Sequence, residues 1–333
     1  ECLVGSEMCI RDRVIIMLKK IIKILRNILI VILALLIIIS IVGQVRKYLE
    51  RNDVKSLGVL VNVDGKKMHV YSEGHGKKTI VLMPGLGSIA PSIDFKPLIN
   101  ELKKDFKVVV VEPFGYGFSE ETSKERSVEN IVNETRMALK KAKIDGPYIL
   151  MPHSISGVYA QYYASAYRNE VDAIIMLDTT LVKACLEDSD KVDLSMGKKQ
   201  LILSTLGNLL GIDRIYYNSI YKNENCFSES DKKKLVKMGV KNPFNKTMEN
   251  EVDMILKNCE TVNKSKMPKD LPIFKFVAIK YIKDINNEKY TKIINKNLSE
   301  FKDYSKFKYC VLEGSHYIYY TCLLYTSDAA DEL

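Results

Sequence analysis

Histidine is almost missing from this chain of 333 residues: only His69, His75, His153 and His316 occur. Cysteine is equally sparse through the interior, where Cys185, Cys226, Cys259 and Cys310 stand far apart and no Cys-x-x-Cys pair is formed. Those two shortages exclude the ligand spacings of a metal centre and the framework of a disulfide-stapled domain. No metal site is therefore expected. Blocks of like charge are absent as well. The formal net charge is +9, yet the lysines alternate with Glu, Asp and Asn, so the excess reads as a solvated surface with the Ile/Lys/Asn bias of an AT-rich gene. Nucleic acid is not expected as a partner. Finally, the long apolar run near the N-terminus is not followed by an Ala-x-Ala-like site, which argues against a cleaved secretory leader.

What that run does offer is length. From Ile21 to Val45 the chain is almost wholly aliphatic, and Ile28 to Val42 has only Ser40 as a polar residue. With Lys23 and Arg26 able to snorkel, it reaches the ~20 residues that a bilayer-spanning helix needs. Residues 17–46 are expected to be a single membrane anchor whose partner is membrane lipid. Lys19, Lys20, Lys23 and Arg26 precede it, and Arg46, Lys47 and Arg51 follow with Glu50 and Asp53, which leans towards an extracytoplasmic C-terminal domain. The two ends raise a separate expectation. Ser6–Arg13 and Cys322–Ser327 can be encoded by opposite strands of one DNA segment, so residues 1–13 and 322–333 are expected to be adapter-derived. Met17 is then the expected native start, and native coding is expected to run past Thr321.

Beyond a polar linker the period of the sequence changes. Leu57–Val63 and Lys67–Ser72 predict two strands about Asp64-Gly65, and Thr79–Met83 predicts a buried strand that ends in Pro84-Gly-Leu-Gly-Ser88. Residues 94–104 predict an amphipathic helix. Val108–Glu112 predicts a strand buried on both faces, as in a parallel sheet, and runs into Pro113-Phe-Gly-Tyr-Gly-Phe-Ser119. Ser127 caps a predicted helix to Ala142. Tyr148–Met151 then leads into Pro152-His-Ser-Ile-Ser-Gly157, an apolar run that breaks at Ser154 and continues as a helix. A serine at such a junction sits on a sharp turn with its hydroxyl exposed; the plainer alternative is a helix N-cap.

The order of strand, Gly loop, helix, strand, Gly-x-Gly turn, helix, strand and serine turn resembles the α/β-hydrolase fold family over residues 57–320. The serine turn is similar to the family's nucleophile elbow, Gly-x-Ser-x-Gly, with Pro152 and Ser156 in place of the outer glycines. The resemblance implies a doubly wound, mostly parallel sheet in two parts, residues 57–180 and 271–321, with residues 181–270 inserted as a helical lid. It implies Ser154 as nucleophile, His316 after the last strand as base, and the Leu86 and Ile155 amides as oxyanion hole. For the acid, the position that usually carries it is Tyr281. Asp178, which ends the strand Ala173–Asp178, is taken instead, with Asp284 as the alternative and strand-end capping as the plainer role for Asp178. Serine at the elbow differs from the aspartate of the dehalogenases and epoxide hydrolases that share this fold. The expected activity is that of a serine esterase or lipase on a small acyl substrate, chemistry that requires no metal and no organic cofactor. A peptidase or acyltransferase on the same triad, or a tethered binding domain without catalysis, is the alternative. Substrate choice is expected to lie in Leu201–Tyr221, on an apolar side formed by Leu201, Leu206, Leu209, Leu210, Ile212 and Ile215. The family's closing helix does not follow His316 here, so Tyr317–Tyr320 are expected to lie exposed.

Overall fold

The computed structural model describes residues 2–279 and 288–321. Eight strands form one sheet: β1 (Val59–Val63), β2 (Lys66–Glu73), β3 (Thr79–Met83), β4 (Lys107–Glu112), β5 (Tyr148–Pro152), β6 (Val171–Leu177), β7 (Ile273–Ile279) and β8 (Phe307–Glu313). Their spatial order is β1-β2-β4-β3-β5-β6-β7-β8. Strands β1, β2 and β4 pair antiparallel, whereas every pairing from β4 through β3 to β8 is parallel.

The parallel strands are apolar throughout because both faces are covered. Along β3, Val81 and Met83 enter one core with Leu150, Ile174 and Val158, while Ile80 and Leu82 enter the other with Leu98, Ile99 and Ile175. Alternate side chains of a strand point to opposite faces, so one short run feeds both layers. Helices α3 (Lys96–Leu102), α4 (Val128–Lys141) and α5 (Ser156–Ala166) supply those layers. Ser127 caps α4, its hydroxyl accepting the Asn130 N–H at 3.3 Å.

Two expectations are corrected here. The helix predicted over 94–104 is two pieces, α2 (Pro91–Asp94) and α3, broken at Phe95. Pro97 in the first turn of α3 lacks the N–H that a continuous helix would use, and its ring disfavours helical backbone just before it. Tyr317–Tyr320 do not all lie exposed: Ile318 and Tyr319 are buried, and Tyr319 packs its ring 4.8 Å from that of Phe95, leaving Tyr317 as the exposed member.

Between β6 and β7 the described chain is helical: α6 (Val182–Glu187), α7 (Ser195–Leu210), α8 (Asp213–Tyr221), α9 (Glu229–Lys241), α10 (Lys246–Asp253) and α11 (Ile255–Lys264). Helices α8 and α9 share a small core of Tyr217, Tyr221, Leu235 and Met238 with Ile89 and Ile93 of the sheet domain. α11 belongs to the main helical layer, since Cys259 and Val262 pack with Val158 and Tyr163. At the N-terminus α1 (Cys2–Glu50) includes Arg13–Glu50, whose most apolar window has a mean hydropathy of 3.1 and no burial. It is long and apolar enough to cross a membrane. Its C-terminal part leans on α7, with Gln44 Nε2 donating to the Asn208 carbonyl at 2.6 Å and Lys47 Nζ donating to Asn208 Oδ1 at 2.8 Å.

Candidate active site

Strand β5 ends and α5 begins within three residues, and the chain turns there through Ser154, which holds φ at +54°. A left-handed serine costs roughly 1–2 kcal/mol, so the surroundings must impose it. They do so by hydrogen bonding on both sides. Ser154 N–H donates to the Leu177 carbonyl at 3.3 Å, and Thr180 N–H donates to the Ser154 carbonyl at 2.9 Å, which pins the turn to the end of β6. Packing closes the same gap: a Cβ on Gly157 would lie 2.4 Å from Thr179 Cβ. That glycine is a close-approach requirement, which lets α5 pack against Thr179 just past the end of β6.

The residue after β6 is Asp178, itself left-handed at φ +43°. Its Oδ1 accepts the Ala278 N–H at 2.9 Å, and its Oδ2 accepts from His316 Nδ1 at 2.7 Å. The structure thus brings the elbow serine, Asp178 and His316 to the C-terminal edge of the parallel strands, where an open α/β sheet offers its crevice. An imidazole held by a carboxylate at Nδ1 keeps its proton there and leaves Nε2 as the basic nitrogen. Asp284 and Tyr281 lie outside the described residues.

On the other side of Ser154 runs the loop after β3. Gly85 admits no side chain, since a Cβ there would meet His153 Nδ1 at 2.7 Å and Ser154 Cβ at 3.0 Å. The backbone amides of Leu86, which follows Gly85, and of Ile155, which follows Ser154, donate to no group among the described residues.

Several residues that sequence patterns did not single out hold this arrangement. His153 is buried, and its Nε2–H donates to the His316 carbonyl at 3.0 Å, while its ring lies 4.5 Å from that of His316. Burial pushes its pKa down to about 4, so it is neutral near pH 7 and acts as a fixed donor. Lys275 of β7 is fully buried behind Asp178 and donates to Thr179 Oγ1 at 2.6 Å and to the Thr179 carbonyl at 3.1 Å. Burial lowers its pKa to about 8. Glu251 of α10 accepts the hydroxyls of Tyr116 and Tyr159, each at 2.8 Å. Tyr116 belongs to the Gly-x-Gly turn and lies 3.5 Å from the Gly87 N–H, and Tyr159 belongs to α5, so one buried carboxylate ties the loop after β3 to the elbow helix. Burial raises the Glu251 pKa, opposed by the Arg126 charge.

Glu112, the last residue of β4, is fully buried and anchors the Gly-x-Gly turn that follows it. It accepts the Ser92 N–H at 3.0 Å and the Phe118 N–H at 2.7 Å, and it pairs with the buried His69 at 3.0 Å. His75 is exposed to solvent and away from these contacts.

A cavity of about 340 Å³ opens beside this edge, bounded by Leu86–Ser88 and by Tyr317, the neighbour of His316. The inserted helices line it with Gln200, Tyr216, Tyr217, Ile220 and Tyr221. From the stretch Leu201–Tyr221, expected to carry substrate choice, Tyr216, Tyr217, Ile220 and Tyr221 line it, whereas Leu201, Leu206, Leu209, Leu210, Ile212 and Ile215 of its apolar side do not. Leu206, Leu209, Ile212 and Ile215 are exposed on the outer side of α7 and α8. An amphipathic pattern identifies an apolar side without saying what it faces, and here the outward direction won.

Fold and site together define a hydrolase scaffold of the doubly wound type. The family of alpha/beta hydrolase fold proteins matches residues 78–251, and the chain belongs to that family. It is 31% identical over 314 residues to the uncharacterized protein YbdG of Bacillus subtilis, covering 91% of this chain and 94% of that one. It is also 26% identical over 120 residues to the uncharacterized protein YqjL of Bacillus subtilis, covering 36% of this chain and 47% of that one. Among solved structures it resembles an epoxide hydrolase from Vigna radiata, with a TM-score of 0.63 at 16% identity over 83% of this chain and 98% of that one. Cfl2 from Burkholderia cenocepacia superposes with a TM-score of 0.62 at 15% identity, over 83% of this chain and 94% of that one. At such identities the likeness is one of fold.

Proposed function

We propose that this protein is a serine hydrolase that cleaves a carboxylic ester through an acyl-enzyme. The carrying observation is the left-handed Ser154 beside the Asp178–His316 pair, which is bonded at 2.7 Å. In this reading His316 Nε2 removes the proton of Ser154 Oγ as that oxygen adds to the ester carbonyl. The Leu86 and Ile155 amides bind the oxyanion, and Asp178 stabilises the imidazolium. Collapse of the tetrahedral adduct breaks the ester C–O bond, with the leaving alcohol taking its proton from His316. Water, deprotonated by the same histidine, then releases the acid and restores Ser154. A serine at the elbow, rather than an aspartate, supports this chemistry over the epoxide opening named for the Vigna radiata structure. The decisive measurement is labelling by a fluorophosphonate probe together with ester hydrolysis. Ser154→Ala should abolish labelling and cost at least about 10³-fold in kcat/KM, since triad members act as a unit. Activity that survives the substitution, with labelling elsewhere, overturns the mechanism.

We also propose that α1 anchors the enzyme in a membrane, with residues 181–270 acting as a lid over the site. A signal sequence would satisfy the same length and composition. The bonds from Gln44 and Lys47 to Asn208 favour retention, because a removed leader has no reason to pack on the mature protein. The exposed apolar side of α7, next to the end of α1, fits a surface resting at the lipid interface. The excess of Lys and Arg before the apolar run, four residues against three after it, leans towards an extracytoplasmic catalytic domain.

A further inference from the structure

We infer that the cavity beside Leu86–Ser88 is a binding site for an ammonium group, so that the ester cleaved at Ser154 carries a protonated amine or a quaternary ammonium; this rests on the hydrolase reading above. The chain as a whole is cationic, with 50 Lys and Arg against 41 Asp and Glu. The cavity reverses that balance. Its described lining holds Asp94 and Glu224 and no lysine or arginine. Asp94 is 3% exposed, yet the groups that reach its carboxylate are neutral: the Ser88 hydroxyl at 2.5 Å, the Tyr221 hydroxyl at 3.3 Å and the Tyr320 hydroxyl at 3.5 Å. Among the described residues no cation pairs with it. An unpaired buried carboxylate is costly, and a ligand cation is the group that would offset it.

The walls point to the same ligand. Five tyrosines line the cavity, and the rings of Tyr317 and Tyr320 stack 5.2 Å apart at an interplanar angle of 15°. Aromatic faces carry negative quadrupole potential, and a carboxylate among such faces is an arrangement that binds ammonium ions. A volume of about 340 Å³ holds a small alkylammonium with a short chain. The cavity is bounded by the loop that supplies Leu86 and by the neighbour of His316, so a group seated in it stays within covalent reach of a carbonyl at Ser154. Glu224 stands half-exposed among the lining residues and adds a second negative charge.

Two matched substrate pairs test this and show on which side of the ester the cation lies. Butyrylcholine against 3,3-dimethylbutyl butyrate places the charge on the leaving alcohol. 4-Nitrophenyl 6-aminohexanoate against the heptanoate places it on the acyl group. In one pair the cationic member should have the higher kcat/KM, and Asp94→Asn should lower the cationic-to-neutral ratio about 10–100-fold, with Glu224→Gln lowering it less. Tetramethylammonium binding provides a readout independent of turnover. The chain has no tryptophan, so tyrosine fluorescence of the Ser154→Ala protein should report binding, and adding Asp94→Asn or Glu224→Gln should weaken it. Equal rates within both pairs, with ratios that neither variant changes, overturn the ammonium site and leave the hydrolase standing. If no ester is cleaved and no probe labels the protein, the hydrolase reading fails. The tetramethylammonium titration then decides the site alone: binding weakened by Asp94→Asn upholds it, and no binding overturns it.

Discussion

Removing the Asp94 charge should make the protein relatively more stable as pH rises. Burial holds the Asp94 pKa at about 6 against an ordinary 3.8, opposed by hydrogen bonds from Ser88 and Tyr221. A carboxyl whose pKa is raised on folding binds more protons in the native state than in the unfolded one. Its contribution is therefore best below the unfolded value and declines as pH rises through the folded value. The shift is a little over two units, and at 1.36 kcal/mol per unit the full decline is about 3 kcal/mol. About half of that falls between pH 5 and pH 8. Asp94→Asn keeps the shape and removes the titration, at the expense of weaker acceptance from Ser88 and Tyr221, a loss that is the same at every pH. The measurement is urea unfolding of both proteins in detergent at pH 5 and pH 8, and the quantity that matters is the difference of differences. The variant should gain about 1.5 kcal/mol on the parent over that interval, because every other titrating group is common to the two proteins. Parallel stability curves would mean that Asp94 carries no uncompensated charge. The case for a cation-seeking cavity would lose its electrostatic basis with it.

Two further outcomes are expected. Asp178→Asn should lower kcat about 10²–10⁴-fold with little change in KM, because the amide no longer fixes the His316 tautomer that the 2.7 Å bond now selects; Asp284→Asn should do little, and the reverse pattern in stopped-flow hydrolysis would move the acid to Asp284. Glu251→Ala leaves the two buried phenols of Tyr116 and Tyr159 without an acceptor and should cost about 2–6 kcal/mol, whereas Glu251→Gln, which retains an acceptor oxygen, should cost about 1–2 kcal/mol. Equal losses in chemical denaturation would show that packing, not hydrogen bonding, is what Glu251 provides.

The sheet was legible in the residues because parallel strands buried on both faces must be continuous apolar runs, and Thr79–Met83 and Tyr148–Pro152 are buried at every position. The elbow was legible for a related reason. A strand that ends at a serine and resumes as a helix leaves few conformations for that serine, and φ +54° is one of them. Asp94, Glu251 and Lys275 were not legible, because a local pattern treats a charged residue as a solvated one. What buries them is remote contact: Tyr116 meets Glu251 across 135 residues, and Tyr221 meets Asp94 across 127. The α7 surface went astray for the opposite reason. Its apolar periodicity was real, but a period fixes only that one side of a helix avoids water. Leu206, Leu209, Ile212 and Ile215 stay exposed, and the cavity wall takes Tyr216, Tyr217 and Tyr221 from α8 instead. The cavity lining combines five tyrosines, Asp94 and Glu224 with Leu86, Ile89, Met196 and Ile220, while Leu206 and Leu209 of α7 and Ile215 of α8 lie exposed outside it. That division between a polar, aromatic lining and an aliphatic exterior is the physical basis for the proposed ammonium site and for the proposed contact with lipid.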